Sequence, residues 1–212
     1  MTIRSLIPIA AAAFALAISA DAALARQDTL RVARASTAAF HDLDTATAAG
    51  YAEFHDAADI ACIANPGVGG MGVHFVNLPG VLDPGIDAGA PEALVYQPRA
   101  NGGMRLVAAE YIVFQDAWNA THASPPALFG EEFEAVGAGN RYGIPPFYEL
   151  HAWIWKHNPR GMFDDWNPLV SCVSASTAFN ALTAAEHTWT PENLDRLAQA
   201  YSALNPGWVR PF

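Results

Sequence analysis

Basic residues are scarce in this sequence. Lysine and arginine number 11 against 21 aspartates and glutamates, which gives a formal net charge of −10 at pH 7. Proteins that bind the phosphate backbone of nucleic acids carry clustered lysine and arginine, and no basic stripe occurs here. The composition therefore predicts no nucleic-acid partner.

Common signatures of hydrolases and nucleotide-binding proteins are also missing. Neither a GxSxG nor an HExxH motif occurs, which argues against serine hydrolases of the nucleophile-elbow type and the common zinc proteases. The three glycines of GVGG, within residues 62–72 (CIANPGVGGMG), resemble a phosphate-binding loop, but no Gly-Lys-Ser/Thr follows them and no strand is predicted before them. We interpret residues 62–72 as an ordinary loop.

Long apolar runs are confined to the beginning of the chain. A short basic start precedes an apolar run over residues 6–20, and Ala23 and Ala25 place small side chains where a signal peptidase cleaves. A run of about 15 residues is short for a membrane-spanning helix, which needs about 20. We therefore predict a signal peptide over residues 1–25 and one globular domain over residues 26–212. The mature protein is expected to be secreted or periplasmic, without membrane contact after cleavage.

Only two cysteines are present. In an exported protein two cysteines usually form a disulfide bond, so Cys62 and Cys172 are predicted to pair. Two thiolate metal ligands are the alternative, which the lack of a CxxC spacing disfavours. The predicted bridge ties the early part of the domain to the segment that follows its last predicted strand.

The order of predicted elements indicates an α+β fold. Residues 37–54 have helical spacing, and a second helix is predicted at residues 191–204. Four strands are predicted between them, at residues 73–76, 93–97, 104–114 and 147–155. Residues 98–103 are predicted to form a hairpin turn, and residues 115–146 are predicted to form a long surface loop with one short helix. We predict a single domain with an antiparallel sheet, open or curved toward a barrel, and flanking N- and C-terminal helices.

Three polar residues stand on otherwise apolar predicted strands: His74, Glu110 and His151. Glu110 is a lone charge within an apolar run, and a buried carboxylate is costly unless it is paired or coordinates a metal. Two imidazoles and one carboxylate on adjacent strands of one sheet suit a divalent transition metal, with positions left open for water or substrate. We therefore predict that the polar atoms of these side chains converge on one pocket.

Glu149 shares the predicted strand face of His151, because side chains alternate along a strand. It is predicted either to hold a metal ligand in place or to act as a fourth ligand. The cluster can instead work without a metal, in which case Glu110 orients one histidine as a general base. A third interpretation is that each residue is a hydrogen-bonded polar group of a wide sheet.

Tryptophan is concentrated around the last predicted strand. Trp153 and Trp155 alternate there with apolar residues and are predicted to share the face of His151. Exposed indoles at such positions would line a site for a sugar ring or another flat ligand. The alternative is core packing, since tryptophan is highly buried on average.

Three functional interpretations remain open at this level. The leading one is an exported protein that binds a small ligand or a divalent transition metal in the His/Glu/His pocket. The second is an enzyme that uses a metal, or His/Glu acid–base chemistry, on a small molecule. The third is a carbohydrate-binding or structural module that uses the tryptophans. The residue pattern is compatible with all three, so enzymatic activity is left open.

Six segments of the chain also form a recognisable set: HDLDTATAAGY, CIANPGVGGMGVHFVN, PEALVYQP, LVAAEYIVF, LFGEEF and LHAWIWKHNPRGMFDDWNPLVSC. This set resembles a family of small exported bacterial proteins. The resemblance covers about residues 36–172 and is most specific in the GGMGxH and LHxWxWxxNPxGxFxxWNPxxxC blocks. It implies one exported domain, and it implies no mechanism because no activity is established for the family.

Overall fold

A computed structural model of the protein describes residues 9–172. In this range the helices are α1 (Ile9–Thr37), α2 (Leu43–Ala48), α3 (Leu78–Val81) and α4 (Gln115–Asn119), with a 3-10 turn at Ala38–His41. The strands are β1 (Ala52–Glu53), β2 (Cys62–Asn65), β3 (Gly69–Val76), β4 (Ala93–Pro98), β5 (Met104–Phe114), β6 (Ala127–Leu128), β7 (Glu131–Glu132), β8 (Glu134–Val136) and β9 (Phe147–Ala152). The helix predicted at residues 191–204 lies outside the described residues.

The main sheet contains seven antiparallel strands. Its order is β1-β3-β4-β5-β9-β8, and β2 pairs with β3 along the edge that β1 also uses. Strands β6 and β7 form a separate hairpin. The sheet built from the described strands is open and does not close into a barrel. The predicted α+β fold with an antiparallel sheet is confirmed, and its barrel alternative is wrong.

Helices α1 and α2 cover one face of the sheet. Leu30 and Ala33 of α1 pack with Tyr111 of β5 in one buried cluster. Ala46 of α2 packs with Leu94 of β4 in a second cluster. Because strand side chains alternate, the residues between these positions face the other side of the sheet.

The opposite face is covered by α3 and by loops. A buried cluster on this face contains Val81 of α3 together with Ala93, Ile112 and Phe147 of the sheet. Tyr142, from the loop between β8 and β9, packs against this cluster. Glu110 and its neighbours on β9 project to the same face, so the fold places the candidate site between the sheet and its covering loops.

Two segments predicted as irregular contain strands. Residues 62–72 form most of the β2–β3 hairpin, so the prediction of a loop there is wrong. Within residues 115–146 the predicted short helix is present as α4, but Glu134–Val136 extends the sheet beside β9. The helix predicted over residues 37–54 is divided, and Asp42 caps its second part by accepting a hydrogen bond from the Asp44 N–H. Its predicted end is wrong, because α2 stops at Ala48 and Ala52–Glu53 forms β1.

Glycines of the β2–β3 hairpin allow close packing by the segment after β9. The Gly70 N–H donates to the Asn167 carbonyl at 3.1 Å, and the Asn167 N–H donates back to the Gly70 carbonyl at 3.1 Å. A Cβ atom at Gly69 would lie 2.5 Å from the carbonyl carbon of Asn167, a separation that a side chain cannot adopt. The glycine pattern therefore serves backbone packing, and it does not form a phosphate cradle.

Cys62 of β2 and Cys172 form a disulfide bond across 110 positions of the sequence. The predicted pairing is confirmed, and the alternative of two thiolate metal ligands is wrong. The bond joins the outer edge of the sheet to the segment that follows β9. A disulfide bond of this kind is consistent with an oxidising compartment such as the periplasm or the extracellular space.

Helix α1 extends across the predicted signal-peptide cleavage site, which precedes Arg26. The side chains described as buried in α1 are Leu30, Ala33 and Thr37, and all three follow that site. Cleavage there would therefore keep these contacts with the sheet, and the signal peptide stays a prediction. None of the helices within residues 9–172 combines the length and the hydropathy needed to cross a membrane.

Glu92, which immediately precedes β4, is a buried carboxyl group outside the candidate metal cluster. Its Oε2 accepts a hydrogen bond from the Ile112 N–H at 3.0 Å. Burial raises the pKa of Glu92 from 4.5 to about 8. Between these pH values the native protein holds a proton that the unfolded chain has released. The free energy of unfolding therefore falls as the pH rises through this window.

Replacing Glu92 with glutamine should remove this pH dependence, since the amide keeps an acceptor oxygen and does not titrate. The free energy of unfolding of the wild-type protein is expected to fall as the pH rises from about 5 to about 8. The corresponding fall in Glu92→Gln should be smaller by about 2–4 kcal/mol. Urea unfolding at several pH values measures this difference. Parallel stability curves for the two proteins would show that Glu92 ionises normally in the native state.

Candidate metal centre

The three predicted ligands come from three different strands of the main sheet. His74 lies on β3, Glu110 on β5 and His151 on β9. Glu110 and His151 are directly opposite each other in the β5–β9 pairing. Cross-strand partners project from the same face of a sheet. The prediction that these two strands present their polar residues to the same side is confirmed.

His74 reaches the other two residues across an intervening strand. β4 lies between β3 and β5, which corrects the expectation that the ligands occupy adjacent strands. Ala93 of β4 is the cross-strand partner of Glu110. Because Ala93 has only a methyl group, the Glu110 carboxylate can extend over β4 toward His74.

Donor atoms of the three side chains converge. His74 Nε2 lies 3.4 Å from His151 Nε2 and 3.4 Å from Glu110 Oε2. Glu110 Oε1 lies 3.8 Å from His151 Nδ1. One nitrogen or oxygen atom from each residue lies within 4.8 Å of one atom from each of the others. The predicted convergence on one place is therefore confirmed.

The contacts of Glu110 are longer than good hydrogen bonds. N–H···O bonds in proteins measure about 2.7–3.2 Å, whereas the separations of Glu110 from the two histidines are 3.4 and 3.8 Å. Side-chain exposure is 5% for His74, 3% for Glu110 and 0% for His151. Within the described part of the chain, Glu110 Oε2 and His151 Nδ1 have no hydrogen-bond partner. Buried polar atoms of this kind are costly unless another group completes their contacts.

Burial and neighbouring charges shift the pKa values of the two histidines in opposite directions. Burial lowers the pKa of His74 to about 4, so its ring is neutral at pH 7 and can act as a ligand. Burial also acts to lower the pKa of His151, but the carboxylates of Glu110 and Asp165 raise it to about 9. Without a metal His151 is therefore cationic at pH 7, and a metal that binds must displace its proton.

Glu149 lies beside the cluster but outside the group of converging donor atoms. It is 5% exposed, and its Oε2 has no hydrogen-bond partner among residues 9–172. Burial and the nearby charge of Glu110 raise the pKa of Glu149 to about 9. Its carboxyl group is therefore protonated at pH 7, which limits repulsion between the two acids. Its role in holding a ligand, or as a fourth ligand, stays a prediction.

Asp165 is a residue of the site that sequence reasoning missed. Its Oδ1 lies 3.5 Å from His151 Nδ1. It belongs to the segment after β9, which is fixed by two hydrogen bonds from Trp153, to the carbonyls of Met162 and Asp164. The only sequence signal is the Asp164–Asp165 pair among turn residues that follow the His151 strand.

A small acidic cavity of about 140 Å³ lies on the Asp165 side of His151. Its acidic lining consists of Glu131, Glu132, Glu134, Glu149 and Asp165. Four acidic residues remain besides the protonated Glu149, and carboxylates clustered in a cleft create a negative potential that attracts cations. The approach to the buried histidine from this side therefore favours a positively charged ligand.

The tryptophans do not form the predicted ligand platform. Trp153 is 3% exposed and lies in a buried cluster on the face of the site. Trp155 packs instead with the cluster beneath α1 and donates from Nε1 to Thr37 Oγ1. The predicted face is therefore right for Trp153, whose ring centroid lies 6.1 Å from that of His151. It is wrong for Trp155, because β9 ends at Ala152, where the Ile154 N–H donates to the Ala152 carbonyl and turns the chain. A sugar platform built on these two indoles therefore has no structural support.

Comparison with known proteins gives no relative for this chain. No family model, curated protein or solved structure matches it at a significant level. The resemblance to small exported bacterial proteins therefore stays a prediction, and the geometry of the cluster carries the functional conclusion.

Proposed function

We propose that the protein binds one divalent transition-metal ion in its buried centre. We also propose that it is exported, either to the periplasm or out of the cell. The ligands are His74, Glu110 and His151. The observation that carries this proposal is the convergence of three buried donor groups, with both separations from His74 Nε2 at a length that suits a metal. Its partners would then be a metal ion and a small molecule that reaches this ion. Binding to nucleic acid or to a membrane is not part of the proposal.

The separations agree with the bond lengths of a first-row metal. Zinc bonds to histidine nitrogen and carboxylate oxygen measure about 2.0–2.2 Å, so two ligands across a tetrahedral angle lie about 3.3–3.6 Å apart. Both 3.4 Å separations from His74 Nε2 fall in this range. Two imidazoles and one carboxylate are also a donor set typical of zinc and iron(II) sites that keep a position open.

A bound metal would also complete the polar contacts of the cluster. Glu110 Oε2, which is buried and lacks a hydrogen-bond partner within residues 9–172, would become a metal ligand. The dication would replace the proton on His151 and offset the charge of the surrounding carboxylates. Zinc binding at pH 7 is therefore expected to release a proton.

Acid–base chemistry without a metal is the second candidate function. The approach of His74 Nε2 to within 3.4 Å of His151 Nε2 favours it, because a small movement of either ring would reach the distance of about 2.6–3.2 Å over which a proton is transferred. In that case Glu110 stabilises the charged form of His151. Metal binding separates the two candidates, since the acid–base pair requires His151 to keep its proton.

Zinc titration of the metal-free protein tests the proposal. Protein made without a histidine tag should bind one zinc ion per chain in isothermal titration calorimetry. His74→Ala should abolish this binding step. His122→Ala is a matched control that should keep it, because His122 is exposed and stacks on Trp118. An absence of saturable binding, or equal binding by His74→Ala, would contradict the proposal.

A further inference from the structure

An apolar cavity of about 290 Å³ lies against the cluster, and His74 and Glu110 form part of its lining. Most of the remaining lining is apolar and includes Val76, Val81, Ile112, Phe114, Ile144 and Phe147. Its volume corresponds to about ten water molecules in the liquid and lies at the lower end of the range for small-ligand sites, about 300–1,000 Å³. The cavity therefore has the size and the composition of a site for one small molecule.

The cavity extends from the protein surface to the cluster. Ala52, Glu53 and Leu78 line it and are exposed, so they mark its mouth. His74 and Glu110 line it and are buried, so they mark its inner end. A molecule that enters from solvent therefore passes apolar walls before it meets the donor groups.

The loop that roofs the cavity is anchored to the body of the protein. Ile144 lies in this loop, between β8 and β9. Nearby, the Arg141 guanidinium donates to the Asp56 carboxylate at 2.7 Å, and the Ala57 N–H donates to the Arg141 carbonyl at 3.0 Å. The cavity is therefore formed before a ligand arrives, which lowers the entropic cost of binding.

We propose that this cavity binds a small, mainly apolar molecule with one oxygen-donor head group, and that the head group coordinates the metal held by the cluster. This inference rests on the proposed metal site. A metal with three protein ligands keeps a position for an exogenous donor. Because His74 and Glu110 are both metal ligands and cavity residues, a molecule in the cavity lies next to that metal.

The lining selects this class of ligand over more polar ones. A sugar or a nucleotide needs hydrogen-bond partners along its whole length, whereas the cavity wall between mouth and inner end is mainly carbon. An alkyl or aryl body of about ten non-hydrogen atoms fills the apolar volume. A carboxylate, carbonyl or hydroxyl group at one end then supplies the donor for the metal.

Alkyl hydroxamic acids are suitable probes, because their head group chelates zinc while their chain length varies. Octanohydroxamic acid is expected to bind the zinc-loaded protein at least about 100-fold more tightly than acetohydroxamic acid, since each buried CH₂ group contributes a factor of about 3–4. Isothermal titration calorimetry measures both affinities. Equal affinities of the two probes would overturn the proposal.

Ile144→Trp tests whether the alkyl chain occupies this cavity. The indole would fill the space beneath the roof, so the affinity ratio of the two probes should fall below about tenfold. Leu169→Trp is a matched control that should keep the wild-type ratio, because Leu169 is 41% exposed and lies outside the cavity lining. An unchanged ratio in folded Ile144→Trp would overturn the assignment. If that variant does not fold, the two probes on the wild-type protein still decide the question.

Failure of the metal site and failure of the cavity give different results. A protein that binds no zinc has no anchor for acetohydroxamic acid, and this outcome overturns the proposed function together with the cavity assignment. A protein that binds zinc and acetohydroxamic acid, but shows no preference for the longer chain, keeps the proposed function and overturns the cavity assignment alone.

Discussion

Replacing Glu110 with alanine is expected to lower the zinc affinity at least about 100-fold, because even residues that only support metal ligands contribute about 10- to 100-fold. The free energy of unfolding of the metal-free protein should fall much less, by no more than about 2 kcal/mol. Glu110 Oε2 makes no hydrogen bond within the described residues, and the loss of a buried carboxylate also removes its desolvation cost. His151 loses the charge of Glu110 but keeps Asp165 Oδ1 at 3.5 Å, which limits the cost of a buried imidazolium. Calorimetry measures the affinity, and urea unfolding measures the stability.

Two further variants make this test specific. Glu110→Gln keeps the shape of the side chain and should still lose most of the affinity, since a neutral amide is a weaker ligand than a carboxylate. Glu92→Gln removes another buried carboxyl group outside the cluster and should bind zinc like the wild-type protein. An unchanged affinity in Glu110→Ala would exclude Glu110 as a ligand.

Loss of the disulfide bond is expected to have the largest effect on folding stability. The bond closes a loop of 110 positions between Cys62 and Cys172. The chain-entropy model assigns about 4–5 kcal/mol of the free energy of unfolding to a loop of this length. Urea unfolding of the double variant Cys62→Ala/Cys172→Ala should show a decrease of this size relative to the wild-type protein.

The metal centre should survive removal of the bond. Backbone hydrogen bonds between Gly70 and Asn167 still hold the segment after β9 against the sheet, so the folded double variant should bind one zinc ion. Thiol titration of denatured, unreduced wild-type protein provides the companion measurement and should find no free thiol. Two free thiols, or a stability loss below about 1 kcal/mol, would contradict the role assigned to the bond.

Strand phase made the centre of the site predictable. Glu110 stands in a strand of 11 residues, and the alternation of side chains along a strand determines which neighbours share its face. A carboxylate in such a place needs a partner, which pointed to the histidines of other strands. Glu110 and His151 are cross-strand partners, so their side chains project from the same face of the sheet.

Contacts made by distant segments could not be predicted in this way. Asp165 reaches His151 because the segment after β9 folds back over the sheet. The spacing of apolar and polar residues within this segment does not predict that long-range contact. The same return requires glycines opposite Asn167. These glycines gave residues 62–72 the composition of a loop, although residues 62–72 form most of a hairpin.

Periodicity also failed where a strand ends inside an apolar run. Residues 147–155 keep their alternation in the sequence, but a turn after Ala152 interrupts the regular pairing, and the Trp155 N–H then donates to the Val107 carbonyl of β5 at 3.2 Å. The nearest turn-forming residues in the sequence, Asn158 and Pro159, come several positions later. Trp155 was therefore predicted on the wrong face of the sheet.

Anomalous diffraction from crystals of the zinc-loaded protein tests the metal centre most directly. Data collected above the zinc absorption edge should show one strong peak per chain, about 2.0–2.2 Å from a nitrogen of His74, an oxygen of Glu110 and a nitrogen of His151. Crystals of His74→Ala grown in the same way should lack this peak. No peak at the cluster, or a peak only elsewhere on the chain, would contradict the metal centre and leave His74 and His151 as a metal-free pair.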